Sequence, residues 1–190
     1  EKKIYKSSIT IAKPRVVIAA FPGTNSEYDM YNRFNENGGE AKITLLRNLT
    51  QKHLVESVDE MCKDLRNSQI FVLPGGFSAG DEPDGSGKFM AAVLQNPKLM
   101  DEIKAFLDRD GLILGVCNGF QALVKSGLLP YGEIGNVHEN SPTLTFNKIG
   151  RHISQIVKTK IVTNNSPWLS SFEIGETFDI PVSHGEGRDR

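Results

Sequence analysis

The sequence predicts an open α/β sheet, mostly parallel, with helices on both faces. Three observations carry that reading: short β-branched apolar runs of strand length, amphipathic segments of 3.6-residue period between them, and turn residues at each junction. Alternation of strand and helix over the first 125 residues leaves little room for an antiparallel arrangement there.

Residues 15–21 form a continuous apolar run suited to a strand buried on both faces, and Pro22 and Gly23 stop it. Thr24 followed by Glu27 has the spacing of a capping box, so a helix is expected over 24–37, closed by Gly38 and Gly39. Residues 41–46 read as the second strand. From Gln51 onward, Leu54, Val55, Val58, Met61, Cys62 and Leu65 recur at helical spacing and define the second helix. A third strand over 69–73 closes on Pro74, a glycine-rich loop runs to Gly87, and helical patterning returns over 88–110 with a break at Pro97. Residues 112–116 are the fourth strand and 118–125 the helix after it, ended by Gly127. Beyond Pro130 the pattern changes: 143–146, 153–162 and 178–182 carry strand signals without long helices between them, which predicts antiparallel additions after residue 140. Residues 1–14 are expected to be a leader or linker, and 15–190 one domain that is incomplete at its C-terminal end.

Composition narrows the function classes. The 22 Lys and Arg nearly balance the 23 Asp and Glu, so no long-range field attracts a phosphate backbone, and nucleic acid is not an expected partner. No apolar run approaches the ~20 residues of a membrane-spanning helix, and no secretory h-region follows the charged start, so a cytoplasmic protein without membrane partners is expected. Two cysteines, Cys62 and Cys117, are too few for a disulfide framework and lack zinc-ligand spacing, so no metal site is expected.

The chemistry concentrates in three motifs. In Gly115-Val-Cys117-Asn-Gly119, a buried strand meets a helix at a cysteine flanked by glycines, the pattern of a nucleophile elbow with sulfur in place of oxygen. Cys62, by contrast, lies on the apolar stripe of a helix and reads as core. In Ser183-His184-Gly-Glu186, residues two apart on a strand share a face, so the Glu186 carboxylate is placed to orient the His184 imidazole as a general base. In Leu73-Pro-Gly75-Gly76-Phe77, consecutive glycines after a strand allow backbone N–H groups to converge as an oxyanion hole. This is no Walker loop, because Glu82 takes the first glycine position and Phe89 stands where Ser or Thr would follow Lys88. His53, His138 and His152 have no carboxylate or cysteine at ligand spacing and read as surface residues, and Lys148, Arg151, Lys158 and Lys160 as a solvated basic face.

In this order the three motifs resemble the class I (triad) glutamine amidotransferases, a flavodoxin-like family. The longer wording, Phe21-Pro-Gly-Thr-Asn25, Leu73-Pro-Gly-Gly-Phe-Ser-Ala-Gly-Asp81, Gly115-Val-Cys-Asn-Gly-Phe-Gln121 and Ser183-His-Gly-Glu-Gly-Arg188, is similar to the glutaminase domain of the phosphoribosylformylglycinamidine (FGAM) synthases. The resemblance implies that Cys117 attacks the side-chain amide of L-glutamine, giving a thioester and ammonia, with His184 moving protons and Glu186 orienting it. It also implies an oxyanion hole from the backbone of Gly76 and Asn118, and substrate contacts from Gln121, Phe77 and Gly75. Ammonia would pass to an FGAM synthetase domain, on the same longer chain or a separate subunit. That partner would use ATP and magnesium, while this domain needs no cofactor. The segment 81–87 is similar to forms in which the glutaminase is the C-terminal domain of one large polypeptide. Family members usually continue beyond His-Gly-Glu-Gly-Arg, with an aromatic residue after the arginine, where this chain has Asp189 and Arg190. Two other readings accompany this one: a catalytically silent docking domain, and a thiol hydrolase or peptidase of similar fold.

Overall fold

The structure is a computed structural model that describes residues 11–78 and 87–189. The expected leader in its first ten residues, the loop over 79–86 and Arg190 lie outside the described residues. The described residues form two compact units, Ile11–Thr145 with Asp189, and Phe146–Arg188.

The first unit is built on four parallel strands, β1 (Arg15–Ala20), β2 (Glu40–Leu45), β3 (Ile70–Leu73) and β4 (Leu112–Gly115), in the spatial order β2-β1-β3-β4. After β1 the chain steps outward to β2, then returns across β1 to place β3 on its other side. That reversal makes the carboxyl ends of β1 and β3 a topological switch point, where open α/β sheets bind their ligands. Residues 16–20 of β1 are all buried, because this strand is central and both its faces are covered.

Side chains of β1 alternate between two apolar layers. Val16 and Ile18 meet Met30 and Phe34 of α1 (Glu27–Glu36) on one face. Val17 and Ala19 meet the larger core on the other, to which α2 (Gln51–Arg66), α3 (Lys88–Leu94), α4 (Pro97–Asp108) and α5 (Asn118–Lys125) contribute. Phe71, Phe106, Met61, Leu65 and Leu73 are fully enclosed there, each contributing about 1.5–3 kcal/mol of transfer free energy. Cys62 is buried in the same layer, as its place on the stripe of α2 predicts, whereas Val55 on that helix is more than half exposed.

Side chains cap the starts of two helices. Thr50 Oγ1 accepts from His53 N–H to cap α2, and Asn96 Oδ1 accepts from Lys98 N–H to cap α4. Pro97 is the first residue of α4, where its missing N–H costs nothing, which is why one expected helix is two. The capping box expected at Thr24 does not form. Thr24 Oγ1 instead accepts from Phe21 N–H and Thr24 N–H donates to Phe21 O, closing the turn after β1, and α1 starts at Glu27 behind Ser26. A buried carboxylate, Glu102 of α4, takes Nε–H of Arg66 at 2.7 Å and faces Arg109 at 3.8 Å, tying α2 to α4. After α5 come a single helical turn, α6 (Leu128–Tyr131), which the sequence pattern does not predict, and the two-residue strand β5 (Leu144–Thr145).

The second unit is an antiparallel hairpin, β6 (Ile153–Lys160) against β7 (Thr177–His184), with Ile153 opposite His184 and Lys160 opposite Thr177. It matches the expected antiparallel additions. Lys158 pairs with Asp179 across the ladder at 3.4 Å, both well exposed, so the basic set there is a solvated face.

Phe106→Ala removes a fully enclosed ring from the main core. It is expected to destabilise the first unit by about 3–5 kcal/mol in urea unfolding.

Candidate active site

Cys117 occupies the junction of β4 and α5 with φ 51° and ψ −108°. Such a backbone lies outside the allowed wells of an L-residue and costs on the order of 1–3 kcal/mol, so neighbouring contacts must hold it. They are found on both sides. Val116 N–H donates to Leu73 O at 3.0 Å, Gly119 N–H to Pro74 O at 3.1 Å and Val116 O at 2.9 Å, and Gln121 N–H to Cys117 O at 3.0 Å. Gly119 lies directly on the Leu73 carbonyl, and any side chain there would occupy the space of that backbone. The flanking glycines of the motif thus serve close approach: α5 presses against the end of β3, and the turn lifts Cys117 out of the strand. Its thiol is exposed, while Cys62 is buried. Burial pushes the Cys62 thiol up from its ordinary value, and its S–H points at Lys98 O, 3.8 Å away.

The glycine-rich loop after β3 lies beside this cysteine. A Cβ on Gly75 would stand 3.3 Å from Cys117 Cβ and 3.3 Å from Ser26 Oγ. The loop is pinned to the one after β1: Gly75 N–H donates to Ser26 Oγ at 2.9 Å, Asn25 N–H to Gly75 O at 3.2 Å, and Phe77 N–H to Gly23 O at 2.9 Å. With the N–H groups of Gly75 and Phe77 taken, Gly76 carries the uncommitted loop N–H among the described residues, and Asn118 N–H opens α5 next to the cysteine. Asn118 itself is buried, its Oδ1 accepting from Ser78 N–H and its Nδ2 donating to Gln121 Oε1, both at 3.3 Å. Gln121 is likewise buried, whereas the Phe77 ring is largely exposed beside Gly76. Ser26 belongs to none of the sequence motifs; its signal is that it directly follows Phe21-Pro-Gly-Thr-Asn25, after the switch-point strand.

His184 and Glu186 belong to the second unit, at and just beyond the end of β7. The His184 imidazole is half-buried and its Nδ1 lies 3.0 Å from Asn147 Oδ1. Glu186 is 8% exposed. Gly187 stacks so closely on the imidazole that a Cβ there would land on the ring. Of the other histidines, His138 contacts Tyr131 and His152 lies 2.8 Å from Ser183 Oγ, both exposed. His53, expected at the surface, is half-buried with Nδ1 enclosed and unpartnered. Among the described residues no group of three or more His, Cys, Asp or Glu could hold a metal ion, and no helix is long and apolar enough to cross a membrane.

An exposed sulfur on a strained strand-to-helix turn, with a pinned Gly-Gly loop beside it, is the geometry of a candidate cysteine-nucleophile site on a parallel α/β sheet. A family model described as the CobB/CobQ-like glutamine amidotransferase domain matches residues 13–190, and the chain belongs to that family. Among curated proteins, it is similar to phosphoribosylformylglycinamidine synthase subunit PurQ of Wolinella succinogenes, 34% identical over 90% of this chain and 66% of the relative. The same subunit from Thermotoga maritima is 33% identical over 93% of this chain and 68% of the relative, and that from Treponema denticola 33% identical over 93% and 63%. The chain therefore spans about two thirds of the length of these relatives. The solved structure of PurLQS from Thermotoga maritima contains a chain of similar fold, with a TM-score of 0.69 and 30% identity over 94% of this chain and 69% of that one.

Two outcomes follow from the geometry. In the native protein a thiol-alkylating reagent is expected to modify Cys117 alone, with Cys62 reacting only in denaturant, as peptide mapping would show. Gly119→Ala, which forces α5 away from Leu73, is expected to cost about 1–3 kcal/mol of stability and to slow alkylation of Cys117 measured in the folded variant.

Proposed function

We propose that this chain hydrolyses L-glutamine through a Cys117 thioester and delivers the ammonia to an FGAM synthetase partner in purine biosynthesis. The observation that carries the proposal is the exposed Cys117 on its strained turn, in a chain belonging to a glutamine amidotransferase family. Similarity to PurQ subunits supports the synthetase as the user of the ammonia, and likeness to a chain of the solved PurLQS structure supports a multi-subunit setting.

In this reading Cys117 Sγ attacks the glutamine side-chain carbonyl carbon as its proton passes to His184. Gly76 and Asn118 N–H groups hold the oxyanion that forms, which is where preorganised dipoles lower the barrier most. The tetrahedral adduct collapses with the C–N bond breaking, and the proton returns from His184 to the departing nitrogen, releasing ammonia. Water, activated by the same imidazole, then cleaves the γ-glutamyl thioester to glutamate and free thiol. Glu186 stabilises the imidazolium of each proton transfer. Phe77, exposed beside Gly76, supplies a contact for the bound glutamine, with Gly75 forming the wall next to the sulfur; Gln121, also expected to touch the substrate, is buried and accepts from Asn118 Nδ2, so in this reading it braces Asn118. ATP and magnesium are used by the partner. Both thiols being free agrees with the reducing cytoplasm as the working compartment.

Cys117→Ala is expected to abolish glutamate release, a loss of more than about 10³-fold of the kind seen when a covalent nucleophile is removed. A glutamine-mimicking electrophile is expected to add once, at Cys117, and free glutamine to protect against it. Glutamate release at the unmutated rate by Cys117→Ala would end the proposal.

A further inference from the structure

The hydrogen bonds around His184 converge on a residue that no sequence motif marks. Asn147 is 7% exposed and its side chain uses every hydrogen-bonding position it has. Nδ2 donates to His184 O at 2.9 Å and to Arg151 O at 3.0 Å. Oδ1 accepts from Gly187 N–H at 3.3 Å and faces His184 Nδ1 at 3.0 Å. Its own backbone N–H donates to Gly185 O at 2.9 Å. Side chain and backbone together, Asn147 therefore bonds His184, Gly185 and Gly187.

The orientation of this amide is determined by groups whose polarity cannot change. Two backbone carbonyls face one end and can only accept; a backbone N–H faces the other and can only donate. Turning the amide over would set oxygen against two carbonyl oxygens and NH₂ against an N–H, so a single orientation satisfies all three. The atom facing His184 Nδ1 is then an amide oxygen, which has no proton to give. For the contact at 3.0 Å to be a hydrogen bond, Nδ1 must carry the proton. In a neutral ring the lone pair is then on Nε2.

We infer that Asn147 is a positioning residue that locks neutral His184 as the Nδ1–H tautomer and so presents Nε2 as the proton acceptor. This deepens, and rests on, the reading of His184 as the proton carrier. Gly187 completes the seat, since the ring has room on that side only because no side chain stands there. Asn147 acts through the imidazole, not on the substrate, and it works on the resting protein.

The test reads the ring nitrogens directly. The chain is prepared with ¹⁵N-labelled histidine and examined by long-range ¹H–¹⁵N correlation at a pH where the imidazoles are neutral, His184 being identified by its loss in His184→Gln. Wild-type His184 is expected to be protonated at Nδ1 and bare at Nε2. Asn147→Asp keeps an acceptor opposite Nδ1 but sets its second oxygen against the His184 and Arg151 carbonyls; a folded Asn147→Asp chain is expected to keep that tautomer. Asn147→Ala removes the acceptor and is expected to move the proton to Nε2, the form imidazole prefers in water. A folded wild-type chain with His184 protonated at Nε2 overturns the inference, as does a folded Asn147→Ala chain still protonated at Nδ1. Should neither variant fold, the wild-type spectrum decides. None of these readouts uses glutamine or Cys117, so failure of the glutaminase proposal in the labelling experiment is seen separately from failure here.

Discussion

The close contact between Gly119 and the end of β3 is the constraint on which the candidate site at Cys117 depends. With no side chain at Gly119, the first turn of α5 reaches the Leu73 carbonyl and is bonded to Pro74 O, and the short link from β4 to α5 must then turn within one residue. Cys117 is that residue, and the unfavourable backbone it adopts follows from the two elements it joins. The strain is held by backbone hydrogen bonds and by the core beneath α5, where Ala122 and Leu123 are buried. An exposed cysteine on a strained turn is thereby fixed in place by the elements packed around it.

A second group of contacts gathers around the same point. The loops after β1 and β3 meet because the order of the sheet puts those strands side by side, and Ser26 and Gly75 lock them together. With the N–H groups of Gly75 and Phe77 bonded to Ser26 and Gly23 of the loop after β1, Gly76 keeps the uncommitted N–H of this loop among the described residues. In the second unit a comparable economy operates around His184, where a single buried amide satisfies backbone groups on both flanks of the hairpin end and faces the imidazole.

Legibility in the sequence tracks how local the determining physics is. Strand and helix periods are local, so β1 to β4, α2 and α5 fall within a residue or two of their expected bounds. The division at Pro97 is local as well, because proline is excluded from a helix interior but suits a helix start. Thr24 shows the limit. Its spacing to Glu27 fits a cap, yet the hydroxyl has a better-placed partner in Phe21 N–H because the chain must first turn off the end of a central strand. Val55 sits at a helical repeat but faces solvent, since the sheet covers only part of the circumference of α2.

The sequence by itself determined the alternation of strands and helices, the elbow glycines around Cys117, the Gly-Gly loop and the His-Gly-Glu segment, because each is a short run whose residue types have few other uses. Only the tertiary structure decided which loop N–H groups are spent, that Ser26 pins the Gly-Gly loop, and that Asn147 faces His184. Asn147 stands 37 residues before His184, in a stretch where nothing separates it from Asn136 or Asn164. Which polar side chain meets which is set by how distant strands and turns come to lie against each other, and no local pattern encodes that.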